Sequence, residues 1–80
     1  MSPPEPLSKL AQDEIVRRLV NAACGFIVKK AAAHAPSKTE VKAMEAEIKA
    51  FLKDSFAKFG AIIEKYWTLI FEKIVAVFPD

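Results

Sequence analysis

The chain has 80 residues, of which 52% are hydrophobic, and its 12 basic and 10 acidic residues give a net charge of +2. This length allows one domain with one small core, and the near balance of charge disfavours a dedicated nucleic-acid binder. The single cysteine, Cys24, excludes an intrachain disulfide, and the start lacks the basic and then apolar pattern of a secretory signal, so we expect a cytoplasmic protein.

Residues 1–6 contain three prolines and little that a core can use, so we expect a disordered lead-in followed by a single helical domain over residues 7–80. The first helix is predicted over about residues 7–33, ending before Pro36, because the residue before a proline avoids the α region. Its apolar residues recur at helical spacing and are predicted to form its core face. They are Ile15, Val16, Leu19, Val20, Ala23, Phe26 and Ile27.

The second helix is predicted to begin at a capping box formed by Ser37 and Glu40. From Val41 to Phe78, large apolar residues return every three or four positions, which is typical of one long amphipathic helix over about residues 38–78. The fold class predicted is therefore all-α: a helical hairpin with a long second helix, packing as an oligomeric helical bundle. Two i,i+4 pairs, Glu45 with Lys49 and Asp54 with Lys58, are expected to support that helix.

The two helices differ in length, which is the main argument for association. A helix over 38–78 extends about 60 Å and the first helix only about 40 Å, so the first helix stops covering the second near Glu64. The apolar tail beyond that point then needs a partner, at about 25 cal/mol per Å² left in water. The alternative is a compact three-helix bundle with a break near Gly60. No proline or capping residue follows that glycine, and a glycine inside a helix costs only about 1 kcal/mol, so the continuous helix is favoured.

The chain offers few groups for catalysis or ligand binding. His34 and Cys24 are the only histidine and thiol, and about 15 Å of helix separates them, so they form no nucleophile–base pair within one chain. No spacing of His, Cys and carboxylates matches a metal site, and there is no glycine-rich phosphate loop. We therefore predict a protein that is not an enzyme, with no cofactor and with no catalytic, cofactor-binding or metal residues.

The apolar tail is the predicted interaction surface. The sequence favours a non-enzymatic structural or interaction protein, which self-associates or docks on another protein through amphipathic helices. The alternative is a membrane-surface or lipid-binding helical protein; the balanced charges beside the tail, Glu64, Lys65, Glu72 and Lys73, favour the bundle and disfavour a transmembrane span. The predicted interaction residues are Tyr66, Trp67, Ile70, Phe71, Ile74, Val77 and Phe78.

Two weaker patterns accompany the tail. One is a line of lysines on the second helix, which is typical of a solvated face and, as the alternative, of a phosphate-binding stripe; the sequence disfavours nucleic acid as a partner. The other is a set of small residues that would let helices approach closely, although alanine is also the best helix former on a surface. The lysines are Lys38, Lys42, Lys49 and Lys53; the small residues are Ala43, Ala46, Ala50, Ala57 and Ala61, with Asn21, Gly25 and Ala32 on the first helix.

Overall fold

A computed structural model describes residues 9–31 and 34–80, with side chains from Gln12 onward in the first range. The predicted lead-in at residues 1–6, the start of the first helix at residues 7–8 and its end at residues 32–33 lie outside the described residues. Within the described ranges the chain has no β-strand, so the all-α class is confirmed. The helices are α1 (Lys9–Ala31), α2 (Lys38–Ala43), α3 (Glu45–Ser55), α4 (Gly60–Lys65) and α5 (Trp67–Ala76), with a 3₁₀ turn at Ala57–Phe59 between α3 and α4.

Helix α1 turns its predicted stripe to the core. Its most buried side chains recur at steps of three and four residues, so they share one face. They are Val16, Leu19, Ala23 and Ile27, while Ile15, Val20 and Phe26 pack at the edge of the same core. The core face of this helix is thus confirmed.

Helix α2 begins as the sequence predicts. The Ser37 Oγ accepts a hydrogen bond from the Glu40 amide at 3.2 Å, and the Glu40 carboxylate accepts one from the Ser37 amide at 3.2 Å. This capping box satisfies two of the amide groups that a helix start leaves without partners.

Two of the helix boundaries are bends rather than ends. Between α2 and α3, Met44 has φ −95° and ψ 8°, yet the Ile48 amide donates to the Met44 carbonyl at 2.9 Å. Between α4 and α5, Tyr66 has φ −110° and ψ 21°, and the Ile70 amide donates to the Tyr66 carbonyl at 2.9 Å. The chain therefore has three helical arms: α1, the α2–α3 arm and the α4–α5 arm.

The chain reverses between α3 and α4. Helix α3 ends at Ser55, and Phe56 leaves the helical region with φ −125° and ψ 51°. Gly60 has φ −52° and ψ −44° and is the first residue of α4. The glycine therefore does not supply a left-handed helix end, and the reversal lies just before it.

The α4–α5 arm returns antiparallel to the α2–α3 arm. Three contacts set its register: Lys53 Nζ with Glu64 at 2.5 Å, the Trp67 indole with Glu45 at 2.8 Å, and the Lys38 amide with the Pro79 carbonyl at 2.7 Å. The predicted continuous helix over 38–78 is thus wrong, and the alternative, a three-helix arrangement broken near Gly60, describes the fold. The physical reason is burial, since folding back covers the apolar tail without a second molecule.

The core lies where the three arms meet. Helix α1 packs on both α3 and α5. Among the residues whose side chains are described, the buried core consists of Val16, Leu19, Ala23, Ile27, Val41, Ile48, Leu52, Ile63, Trp67, Ile70, Ile74, Val75 and Phe78. Each arm contributes to one shared cluster, and the described part of the chain holds no buried polar or charged residue. The predicted oligomeric packing remains a prediction.

Candidate interaction surface

The predicted interaction residues divide between core and surface. Four of them, Trp67, Ile70, Ile74 and Phe78, are buried within this chain. Tyr66 and Phe71 are half-buried, and Val77 is 59% exposed. The premise that the whole tail stands bare is therefore wrong, because it assumed an unbroken second helix. An interaction role remains a prediction for the three with accessible surface.

A groove lies between α2 and α5, beside the tail. Its volume is about 480 Å³, and we call it the α2–α5 groove. Its apolar part comes from Phe71 and Val75, which lie one turn apart on α5 and so share a face. The lining residues are Lys38, Lys42, Glu45, Phe71, Glu72, Val75 and Ala76. Val75 and Glu72 are not among the predicted interaction residues, because the groove exists only once the chain has reversed.

A small network fixes one end of the α2–α5 groove. The Trp67 ring stacks on Phe71, with centroids 5.4 Å apart and planes 23° from parallel. Its indole N–H donates to Glu45 at 2.8 Å, and Lys49 Nζ lies 5.7 Å from the ring centroid. A stacked ring with a satisfied N–H and a nearby cation has few alternative positions. The Phe71 ring is thereby held at the groove.

The charged groups of the α2–α5 groove differ in how they are used. Lys38 donates to the Phe78 carbonyl and lies 3.8 Å from Asp80, and Glu45 accepts from the indole of α5. Lys42 and Glu72, by contrast, have no hydrogen bond or ion pair with any described residue. They belong to opposite walls, α2 and α5, and the register of the arms places them at about the same level. The groove thus presents one uncompensated base and one uncompensated acid across an apolar floor.

The predicted lysine line is largely neutralised. Lys53 and Lys49 both form ion pairs with Glu64, at 2.5 and 3.2 Å. The hydrogen bond from Lys53, and after it the one from Lys49, lowers the pKa of the Glu64 carboxyl below its usual value. Lys38 is engaged at the C-terminus. This leaves Lys42 alone in the line, which weakens the argument for a phosphate-tracking stripe.

The predicted i,i+4 pairs on the second helix do not form. Glu45 and Lys49 take partners on the α4–α5 arm. Asp54 and Lys58 lie on opposite sides of the reversal and form no ion pair with each other. The two expectations fail for different reasons: Glu45 and Lys49 share α3 but are drawn to the returning arm, whereas the Asp54–Lys58 pair required a helix that continues past Ser55.

A second apolar patch, between α1 and α3, is partly covered by the chain itself. Phe26 and Phe51 stack with centroids 4.4 Å apart. Lys30 Nζ lies 5.7 Å from the Phe26 ring centroid and pairs with Glu47. A cation that spans an aromatic face and a carboxylate covers part of the patch, and a shallow concavity of about 580 Å³ remains beside Phe26 and Phe51.

The small-residue lines face outward. Asn21 and Gly25 are exposed on α1, and a Cβ atom added at Gly25 would meet nothing within 4 Å. The five alanines of the second line are also exposed. Ala32, the third residue of the first line, lies outside the described residues. The described members of both lines are exposed and do not serve helix packing inside this chain, and surface alanines stabilise helices without any contact.

Cys24 and His34, the two residues considered for catalysis, lie in surroundings that suit a structural role. Burial raises the pKa of the Cys24 thiol, which favours the protonated and weakly nucleophilic form. His34 Nε2 lies 2.9 Å from the Glu40 carboxylate, and this contact, followed by the Ser37 amide, lowers the pKa of Glu40. His34 therefore supports the start of α2. Among the described residues no group of His, Cys, Asp and Glu is placed to hold a metal ion.

The chain matches no protein family, no curated protein and no solved structure. In the described ranges, the helices are too short or too polar to cross a bilayer.

Proposed function

We propose that this chain is a non-enzymatic structural or interaction protein, which self-associates or docks on another protein through its amphipathic helices. The observation that carries the proposal is the α2–α5 groove: an apolar floor of Phe71 and Val75 between two helices, flanked by Lys42 and Glu72. A groove between antiparallel helices is a common seat for another amphipathic helix, which buries its apolar face on the floor and its charges at the rim.

The test is the solution mass of the purified chain over a wide concentration range, by sedimentation. Self-association predicts a mass that rises above 8.9 kDa as concentration increases. Ala76→Arg, at a residue that lines the groove, should abolish the increase in mass, because the added cation would lie over an apolar surface. Ala61→Arg, at an exposed alanine of α4, is the matched control and should associate like the parent. A single 8.9 kDa species at every concentration would overturn self-association.

A second candidate, binding at a membrane surface, is favoured by one separate observation. On the outer side of the α4–α5 arm, Leu69 is 46% exposed and Val77 59% exposed, and Lys65 and Lys73 are exposed on the same arm. Exposed apolar side chains among lysines suit an anionic lipid interface.

Liposome sedimentation separates the two candidates. Surface binding predicts that the chain pellets with anionic vesicles, and that Leu69→Glu with Val77→Glu abolishes this. Val28→Glu is the matched control, because Val28 is 57% exposed but lies on α1. Failure to pellet with anionic vesicles at low salt would rule out the lipid candidate.

A further inference from the structure

The charges of the α2–α5 groove are arranged for a copy of the same surface. Its four charged lining residues are Lys38, Lys42, Glu45 and Glu72, and the first and third already have partners within the chain. The remaining base lies on the α2 wall and the remaining acid on the α5 wall. An interface charge without a partner weakens binding, so an occupant must bring an acid to one wall and a base to the other.

The register of the arms makes this pattern self-complementary. Glu45 is level with Trp67 and Lys38 is level with Pro79. Lys42 lies three residues before Glu45 and four after Lys38, so its place between these two contacts is level with about residue 72. In a two-fold symmetric pair whose axis runs parallel to the groove, each wall faces the opposite wall of the other copy. The α2 base of one chain then meets the α5 acid of the other, twice.

Resting on the proposed function, we propose that the α2–α5 groove is the interface of a two-fold symmetric homodimer, in which Lys42 of each chain pairs with Glu72 of the other. The apolar floors, Phe71 and Val75, face each other between the two ion pairs. Four helices, α2 and α5 from each copy, then enclose a second apolar layer. The ion pairs choose the partner and its orientation, and the apolar floor supplies most of the affinity.

Charge exchange tests the geometry directly. Lys42→Glu places two acids at each contact of a homodimer, and Glu72→Lys places two bases there. Each single variant should therefore lose at least about tenfold in dimerisation affinity, since like charges across an interface are strongly unfavourable. The double variant Lys42→Glu/Glu72→Lys restores both pairs with their signs reversed, and should dimerise within about threefold of the parent.

Mixing the two single variants is the decisive measurement. Chains carrying Lys42→Glu and chains carrying Glu72→Lys fail to pair with themselves, yet a mixture forms two complementary contacts and should give a heterodimer of twice 8.9 kDa. This reciprocal rescue requires each residue to contact the other across a two-fold axis. Sedimentation of each variant alone and of the mixture, at low and at moderate salt, gives the result.

Matched controls separate this geometry from bulk charge. Lys58→Glu and Asp54→Lys change the net charge by the same amounts at exposed residues near the reversal, and should dimerise like the parent alone or mixed. If the parent associates but the groove variants behave like these controls, the two-fold groove interface is overturned while self-association stands. If the parent is an 8.9 kDa monomer throughout, both are overturned. Unfolding of each variant, followed by circular dichroism, shows whether a loss of mass reflects loss of fold.

Discussion

Replacing Ile70 by alanine tests whether the tail is folded into this chain. Ile70 is fully buried, whereas its neighbour Leu69 on the same helix is 46% exposed. Truncating a fully buried isoleucine to alanine costs about 2–5 kcal/mol, and we take about 3 kcal/mol, near the middle of that range, for Ile70. For Leu69→Ala we expect less than about 1 kcal/mol, because half of the side chain already meets water and alanine favours the helix.

The expected loss for Ile70→Ala is large on the scale of this protein. A domain of this size unfolds with about 4–12 kcal/mol in total, so about 3 kcal/mol removes a substantial share. At about 4–8 °C for each kcal/mol in a domain of this size, the midpoint of thermal unfolding should fall by about 12–24 °C. Leu69→Ala should shift it by less than about 8 °C.

The assay is thermal and urea unfolding, followed by the helical circular dichroism signal. Protein concentration must be equal among variants and low, because association would add its own stability. The burial argument fails if the two variants lose the same stability, or if Ile70→Ala loses less than about 1 kcal/mol. Equal and small losses of stability for the two variants would indicate that the tail is exposed to solvent, as in the continuous-helix arrangement.

Three further outcomes are expected. Spin labels at Ala43 and Ala76, in a chain whose native cysteine is replaced by serine and diluted with unlabelled chain, should lie within roughly 20 Å of each other, since packed helices are about 8–10 Å apart. A continuous helix would hold them about 50 Å apart, so a distance near that value would exclude the reversal. Ser37→Ala should cost about 1 kcal/mol in urea unfolding through loss of the cap, whereas Ser55→Ala, at an exposed residue without a cap role, should cost little; equal losses would argue against the capping box. Glu64→Gln should reduce the acid sensitivity of folding: the folded chain lowers the pKa of Glu64 from its ordinary 4.5, so its contribution is complete above that value and is lost as pH falls through the lower, folded-state pKa. Unfolding curves between about pH 6 and pH 3 measure this, and an unchanged pH profile would contradict it.

Local signals in the sequence predicted the parts of the fold that depend on near neighbours. The spacing of Val16, Leu19, Ala23 and Ile27 fixes one face of α1 whatever packs against it, and that face is the core face. The Ser37 cap likewise needs only residues within one turn, and it forms as predicted.

The reversal depends on distant partners, which explains why the sequence favoured a continuous helix and left the break near Gly60 as the alternative. It occurs at Phe56, and phenylalanine has no special preference for ending a helix. Gly60, where the alternative placed the break, is helical. The contacts that hold the returning arm, Glu45 with Trp67 and Lys53 with Glu64, join residues 22 and 11 positions apart. The apolar stripe runs through the reversal without interruption, so periodicity alone cannot separate one long helix from two packed arms.

The same limit applies to the interaction surface. The prediction treated the whole tail as one exposed face, so it assigned the same interaction role to two different residues. Ile70 is fully buried, whereas Val77 is 59% exposed. Lys42 and Glu72 lie 30 positions apart and face one groove only after the arms have paired. Their lack of partners in the described chain is a tertiary property that no sequence pattern shows.

The Lys38 amide donates a hydrogen bond to the Pro79 carbonyl, so the exchange of this one backbone proton reports whether the α4–α5 arm is docked. Lys38 is the first residue of α2, and the first amide of a helix has no acceptor within its own helix. Any slowing of its exchange with deuterated water must therefore come from the end of the chain seated 41 residues away. The exchange rate of that single amide reports how often the end of the α4–α5 arm separates from α2, and fraying of α2 itself does not affect it.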